Sequence, residues 1–187
     1  MSDHPLARHQ GQATISSPEA IVKAVFECVP NVHVLSLVDT PSLSNLVKLL
    51  REPSIRDVMR IHRLRVIVSR TAPRAIELAR WAAQEKKHAV AILAGPTTCD
   101  ALGLLLHNHD EFKLDPEAAF SCIVEDAPDP DDARTPGSMA IQSTLPVLSA
   151  SSVEHLRNSV EHGLRLSRAN NTPTITLAHP SILASGA

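Results

Sequence analysis

Short apolar runs alternate along this chain with segments of helical periodicity. The runs are VHVLSLV (32–38), LRVIVS (64–69), AVAILA (89–94) and FSCIV (120–124). They are rich in β-branched side chains and apolar at successive rather than alternate positions, a pattern that predicts strands covered on both faces. Between them the spacing turns helical. Ser17, Pro18 and Glu19 give an N-cap, a first-turn proline and an acidic residue at the positive helix end, ahead of Ile21, Val22, Val25 and Phe26; this helix ends near Pro30. DTPS (39–42) leaves the first strand and opens a helix carrying Leu43, Leu46, Val47, Leu49 and Leu50. RTAPRAIELARWAAQEKK (70–87) offers Ile76, Leu78, Ala79 and Ala83 for burial, and GPTTCDALGLLLHNH (95–109) has Thr97 or Thr98 as its cap. The chain closes with LPVLS as a short strand, a helix from about Ser151 to Ala169, and TPTITLA as the last strand. Strands covered on both faces and alternating with helices predict an α/β three-layer sandwich with a mostly parallel sheet of about six strands.

The 187 residues suit one well-buried domain, expected over 16–187, with residues 1–15 as a flexible lead. That lead lacks an apolar signal core, and no apolar run is long enough to cross a bilayer, so a cytoplasmic location and no membrane partner are expected. Hydrophobic residues make up 43% and charged residues 20%, values that exclude wholesale disorder. A net charge of −2 and three Phe, one Trp and no Tyr provide neither a basic surface nor a stacking platform, which argues against nucleic acid as the main partner. Cys28, Cys99 and Cys122 are widely spaced with no CxxC pair, so reduced thiols are expected rather than a disulfide framework or a metal cluster.

The usual signatures of site chemistry are absent. Six glycines form neither GxGxxG nor GxxxxGK[ST], and no GxSxG elbow accompanies the ten histidines. His107, Asn108, His109 and Asp110 could ligate zinc or iron, but histidines at a helix end more simply serve its unsatisfied carbonyls. His155 and His162, seven apart on one helix face, read as solvated. Asp129, Asp131 and Asp132 lie in a proline-rich loop without the glycine turn of a calcium site, and read as solvating. No metal ligand and no catalytic residue is assigned on these grounds.

DTPS after the first strand, VEDAPDPDD (124–132) at a strand end, and LPVLSASS followed by a long helix and TPTITL carry a resemblance. The order of elements from about Ser16 to Ser185 resembles the pyrimidine-binding (PYR) domain of thiamine-diphosphate-dependent 2-oxoacid oxidoreductases and decarboxylases, closest to the indolepyruvate ferredoxin oxidoreductase alpha subunit. The resemblance implies the thiamine-diphosphate-binding fold and cofactor contacts at Thr40, Pro41, Ser42 and Ser69. Asp39 stands where the family has glycine.

In that family a glutamate at the end of the second strand bonds the aminopyrimidine and supports proton removal from the thiazolium carbon. Ser69 occupies its place, and a serine hydroxyl cannot relay protons as a carboxylate does at neutral pH. Glu77 lies about two helical turns further on. Arg70, Thr71, Ala72, Pro73 and Arg74 replace the glycine-rich helix start. The resemblance further implies thiamine diphosphate with Mg2+ shared with a partner chain, because the Gly-Asp-Gly motif that holds the diphosphate is missing. A separate diphosphate-binding (PP) subunit is therefore the expected partner, within a homo- or hetero-oligomer. A catalytically degenerate scaffold or regulatory subunit, and an unrelated α/β ligand-binding module, remain alternatives.

Overall fold

The computed structural model describes residues 16–27, 31–107, 113–128 and 134–184. Among them the order of elements is α1 (Ser17–Glu27), β1 (Val34–Val38), a 3₁₀ turn (Pro41–Leu43), α2 (Ser44–Arg51), α3 (Pro53–Ile61), β2 (Arg65–Ser69), α4 (Ala72–Gln84), β3 (Ala89–Leu93) and α5 (Thr98–His107). There follow β4 (Phe120–Glu125), α6 (Pro136–Ile141), β5 (Val147–Ala150), α7 (Val153–Asn170), β6 (Thr174–Ala178) and α8 (Pro180–Ala184). None of these helices is long and apolar enough to cross a membrane.

The strands form one sheet in the order β2-β1-β3-β4-β6-β5, and every neighbouring pair is parallel. The four inner strands are buried along their whole length, as their mostly apolar runs require. One face carries Leu35, Leu37, Val90, Ile92 and Ile123 under α1, α2, α3, α7 and α8. The other carries Val34, Val38, Ala91, Phe120 and Val124 under α4, α5 and α6. These layers make the expected three-layer α/β sandwich. Helix α4 lies across β1 and β3 on a row of fully buried alanines, Ala72, Ala75, Ala79, Ala82 and Ala83. Small side chains at those positions let helix and sheet backbones approach closely, which compensates for the near absence of aromatic bulk.

Three helices lie outside the sequence reading. α3 follows α2 after only Glu52, which ends one helix and starts the next in extended conformation ahead of Pro53. α6 begins at Pro136, just after the proline-rich loop, and runs to Ile141. Thr135 and Ser138 form a reciprocal capping box around Pro136, a local nucleus masked in the sequence by the preceding aspartates and prolines. α8 is a short helix that buries Ile182 and Leu183 against the α1 face. β2 also departs from expectation: it is an edge strand, with Arg65 and Val68 exposed rather than covered. His109, Asp110, Asp129, Asp131, Asp132 and Cys28, together with the expected N-terminal lead, lie outside the described residues.

Candidate functional site

Parallel strands end together, and a ligand site in such a sheet forms where consecutive connections leave in opposite directions. Here that place lies between β1 and β3. The connection after β1 enters α2 and α3 on one face and leads to β2, whereas the connection after β3 enters α5 on the other face and leads to β4. The exits of β1 and β3 therefore diverge at the carboxyl edge, the topological position at which such sheets bind ligands.

Four local features shape it. Val38 and Ser69 are register partners, and the Asp39 amide donates to the Ser69 carbonyl at 2.8 Å, so the first two strand exits are fastened side by side. Thr40 then continues extended (φ −130°, ψ 158°) before Pro41 starts the 3₁₀ turn, and the Leu43 amide donates to the Thr40 carbonyl at 3.0 Å. On the β3 side, Gly95 adopts φ +87°, where a Cβ would stand 3.1 Å from Thr40 Cγ2. Both the left-handed conformation and the close approach call for glycine there. Finally the Gly95 amide donates to Glu125 Oε2 at 3.0 Å, and the Thr98 hydroxyl donates to the Gly95 carbonyl at 2.7 Å.

The structure places Thr40, Pro41, Ser42 and Ser69 at the carboxyl edge of the sheet, with unequal access. Pro41 is exposed, Thr40 and Ser42 are half-buried, and Ser69 is 7% exposed. Thr40 Oγ1 is buried and has no hydrogen-bond partner among the described residues. A hydroxyl in that condition carries an unmet desolvation cost of about 1–3 kcal/mol, as do those of Ser36, Ser121 and Thr176 in the core. Glu77 does not stand in for the missing glutamate: it lies on the solvent side of α4, and its Oε2 accepts from Arg74 Nη1 at 2.9 Å.

Sequence reasoning did not single out Glu125. It is 5% exposed at the end of the central strand β4 and reaches back to the β3 turn. The signal was present in VEDAP, where a carboxylate ends an apolar strand, yet the pairing with Gly95 is 30 residues distant and invisible to spacing. Asp126 turns to the α6 side, where Oδ1 accepts from the Gly137 amide at 2.8 Å. A pocket of about 200 Å³ opens beside this cluster, lined by Gly95, Pro96, Thr98, Cys99, Pro128 and Pro136.

Of the histidines weighed as ligands, His107 holds a proton on Nδ1 for the Gly103 carbonyl 2.7 Å away, the service to a helix end that its position suggests. His155 Nδ1 lies 2.7 Å from Ser151 Oγ at the start of α7, and His162 is exposed on the same helix. Cys99 and Cys122 are buried, the Cys99 thiol donates to the Arg134 carbonyl at 3.7 Å, and burial pushes the Cys122 thiol well above its ordinary range. Among the described residues no group of three His, Cys, Asp or Glu could hold a metal ion.

At the end of β2, where the resemblance implies the relaying glutamate, Ser69 supplies a hydroxyl and not a carboxylate, which does not fit the activating role.

No protein-family profile matches this chain, and no curated protein matches it. Solved structures do. One is the 2-oxoglutarate:ferredoxin oxidoreductase from Magnetococcus marinus with 2-oxoglutarate, coenzyme A and succinyl-CoA bound, matched with a TM-score of 0.65 at 15% identity. The two share a fold. The match takes in 90% of this chain but 29% of the oxidoreductase chain, so this chain spans less than a third of that neighbour's length. The six-stranded parallel sheet and its helix layers are thus the α/β fold of part of that neighbour.

Proposed function

We propose that this chain is a PYR-like subunit of a thiamine-diphosphate-dependent 2-oxoacid-converting complex, completed by a separate diphosphate-binding partner that brings Mg2+. The observation that carries this reading is the match of nine-tenths of the chain to part of a 2-oxoacid oxidoreductase. The divergence of the β1 and β3 exits at the carboxyl edge, beside the Thr40 to Ser42 turn, agrees with it. In this reading Thr40, Pro41, Ser42 and Ser69 form one wall of a cofactor site that closes only when the partner docks. Ser69 and the outward Glu77 favour a second reading for intrinsic activity: a degenerate scaffold or regulatory subunit that has kept the shape and lost the proton relay.

Calorimetric titration of thiamine diphosphate and Mg2+ separates the readings when the chain is studied alone and with its co-purified partner. Binding only in the complex supports the cofactor-site reading, and binding in neither sinks it. Ser69→Glu supplies a carboxylate at the strand end. In the complex it should raise cofactor affinity or turnover at least tenfold, and an unchanged value would assign the chain to the scaffold reading.

A further inference from the structure

The β2 edge carries a feature that the cofactor reading does not use. In the parallel ladder with β1, the backbones of Arg65, Ile67 and Ser69 face inward: the Arg65 amide donates to His33 O, and Ser69 O accepts from Asp39 N. By alternation, Val66 and Val68 turn their N–H and C=O groups outward, away from β1. No described residue bonds them. The side chains around them are apolar and incompletely covered. Val66 and Ile67 are half-buried and Val68 is 39% exposed. A β-branched edge with free backbone donors and acceptors is a template for one more strand.

Charge says which strand. Between Val58 and Ile76 the chain carries Arg60, Arg63, Arg65, Arg70 and Arg74 and no acidic residue, although its net charge is −2. Arg60 and Arg74 pair within their own helices with Asp57 and Glu77. Arg63, Arg65 and Arg70 are exposed, flank the strand at both ends and make no ion pair among the described residues. A second copy paired antiparallel about Ile67 would set Arg63 and Arg65 of one chain beside Arg70 of the other, concentrating unpaired guanidiniums at each end. Such like-charge contacts are a common guard against self-pairing of edges. They leave the edge open to a strand of opposite charge.

We propose that the β2 edge docks an extended acidic segment of a partner protein by strand addition. The outward groups of Val66 and Val68 hydrogen-bond to it, and carboxylates at its two ends meet Arg63 and Arg65 on one side and Arg70 on the other. The outward groups of Val66 and Val68 face away from β1, and peptide binding is read without cofactor, so the test stands whether or not thiamine diphosphate binds.

Labelled, end-blocked peptides EVTVTVE and KVTVTVK, titrated against the full chain by fluorescence anisotropy, provide that test. The acidic peptide should bind at least tenfold more tightly at low ionic strength, with the gap narrowing as salt screens the exposed arginines. Arg65→Glu combined with Arg70→Glu should reverse the order. Val68→Pro, which removes an outward N–H while sparing the ladder to β1, should abolish binding with the circular dichroism spectrum unchanged; if that variant does not fold, the charge reversal decides alone. Equal affinity for the two peptides, no binding up to millimolar concentration, or acidic-peptide binding that survives Val68→Pro in folded protein would overturn the proposal. So would a dimer in sedimentation that the charge reversal leaves intact and Val68→Pro removes, since it would assign the edge to a second copy.

Discussion

His88, at the threshold of β3, shows how a single side chain ties stability to pH. Its backbone amide donates to His33 Nδ1 at 3.2 Å, the two rings lie 5.3 Å apart, and its own Nδ1 is buried without a partner. Burial first, then the neighbouring His33 and Arg168, lower its pKa from 6.5 to about 4. The folded state therefore binds fewer protons than the unfolded chain between those values. Stability is fully present above about pH 6.5, declines as pH falls, and levels off near pH 4. Melting temperature measured across that window should fall for the native chain, and His88→Gln should flatten this part of the slope; parallel curves would show that another group is responsible. None of this was legible in the sequence, because His33 and His88 are 55 positions apart and meet only through β1–β3 pairing.

Helix α7 shows what local pattern can and cannot specify. Its amphipathic run is readable to within two residues, and the structure makes Ser152 the cap, its hydroxyl accepting from the His155 amide at 3.1 Å. Replacing Ser152 by alanine should cost about 1 kcal/mol, measured by denaturant unfolding. Gly163 is different. A Cβ there would stand 2.8 Å from Ser121 Oγ and 3.0 Å from Thr174 Oγ1, because α7 crosses β4 and β6 on its smallest residue. Helix propensity alone predicts a gain of about 1 kcal/mol for Gly163→Ala. Overpacking of about 1–3 kcal/mol should outweigh it. A stabilised variant would mean that α7 can lift from the sheet without loss. The same limit explains β2: its run VIV resembles the inner strands in composition, and only its place in the strand order leaves it uncovered.

Across the whole molecule the sheet order should set the pattern of hydrogen exchange. Amides of β1, β3 and β4 lie between paired neighbours under two helix layers, so they should exchange slowest, close to the limit of global opening. The Val66 and Val68 amides point outward from the edge and should exchange orders of magnitude faster. Slow exchange at those two positions in the isolated chain would show that the edge is already covered.

The alternation of apolar runs and helical periodicities determined the α/β sandwich, because burial on both faces and a period of 3.6 are local properties written into consecutive side chains. The absent nucleotide fingerprints and the serine at position 69 were likewise local facts. Only the tertiary structure decided the rest. It selected which strands stand at the edges and turned Glu77 to solvent. It brought Gly95, Thr40 and Glu125 together at the diverging exits of β1 and β3. Those outcomes depend on strand order and crossover side, which join residues tens of positions apart and leave no periodic trace in the chain.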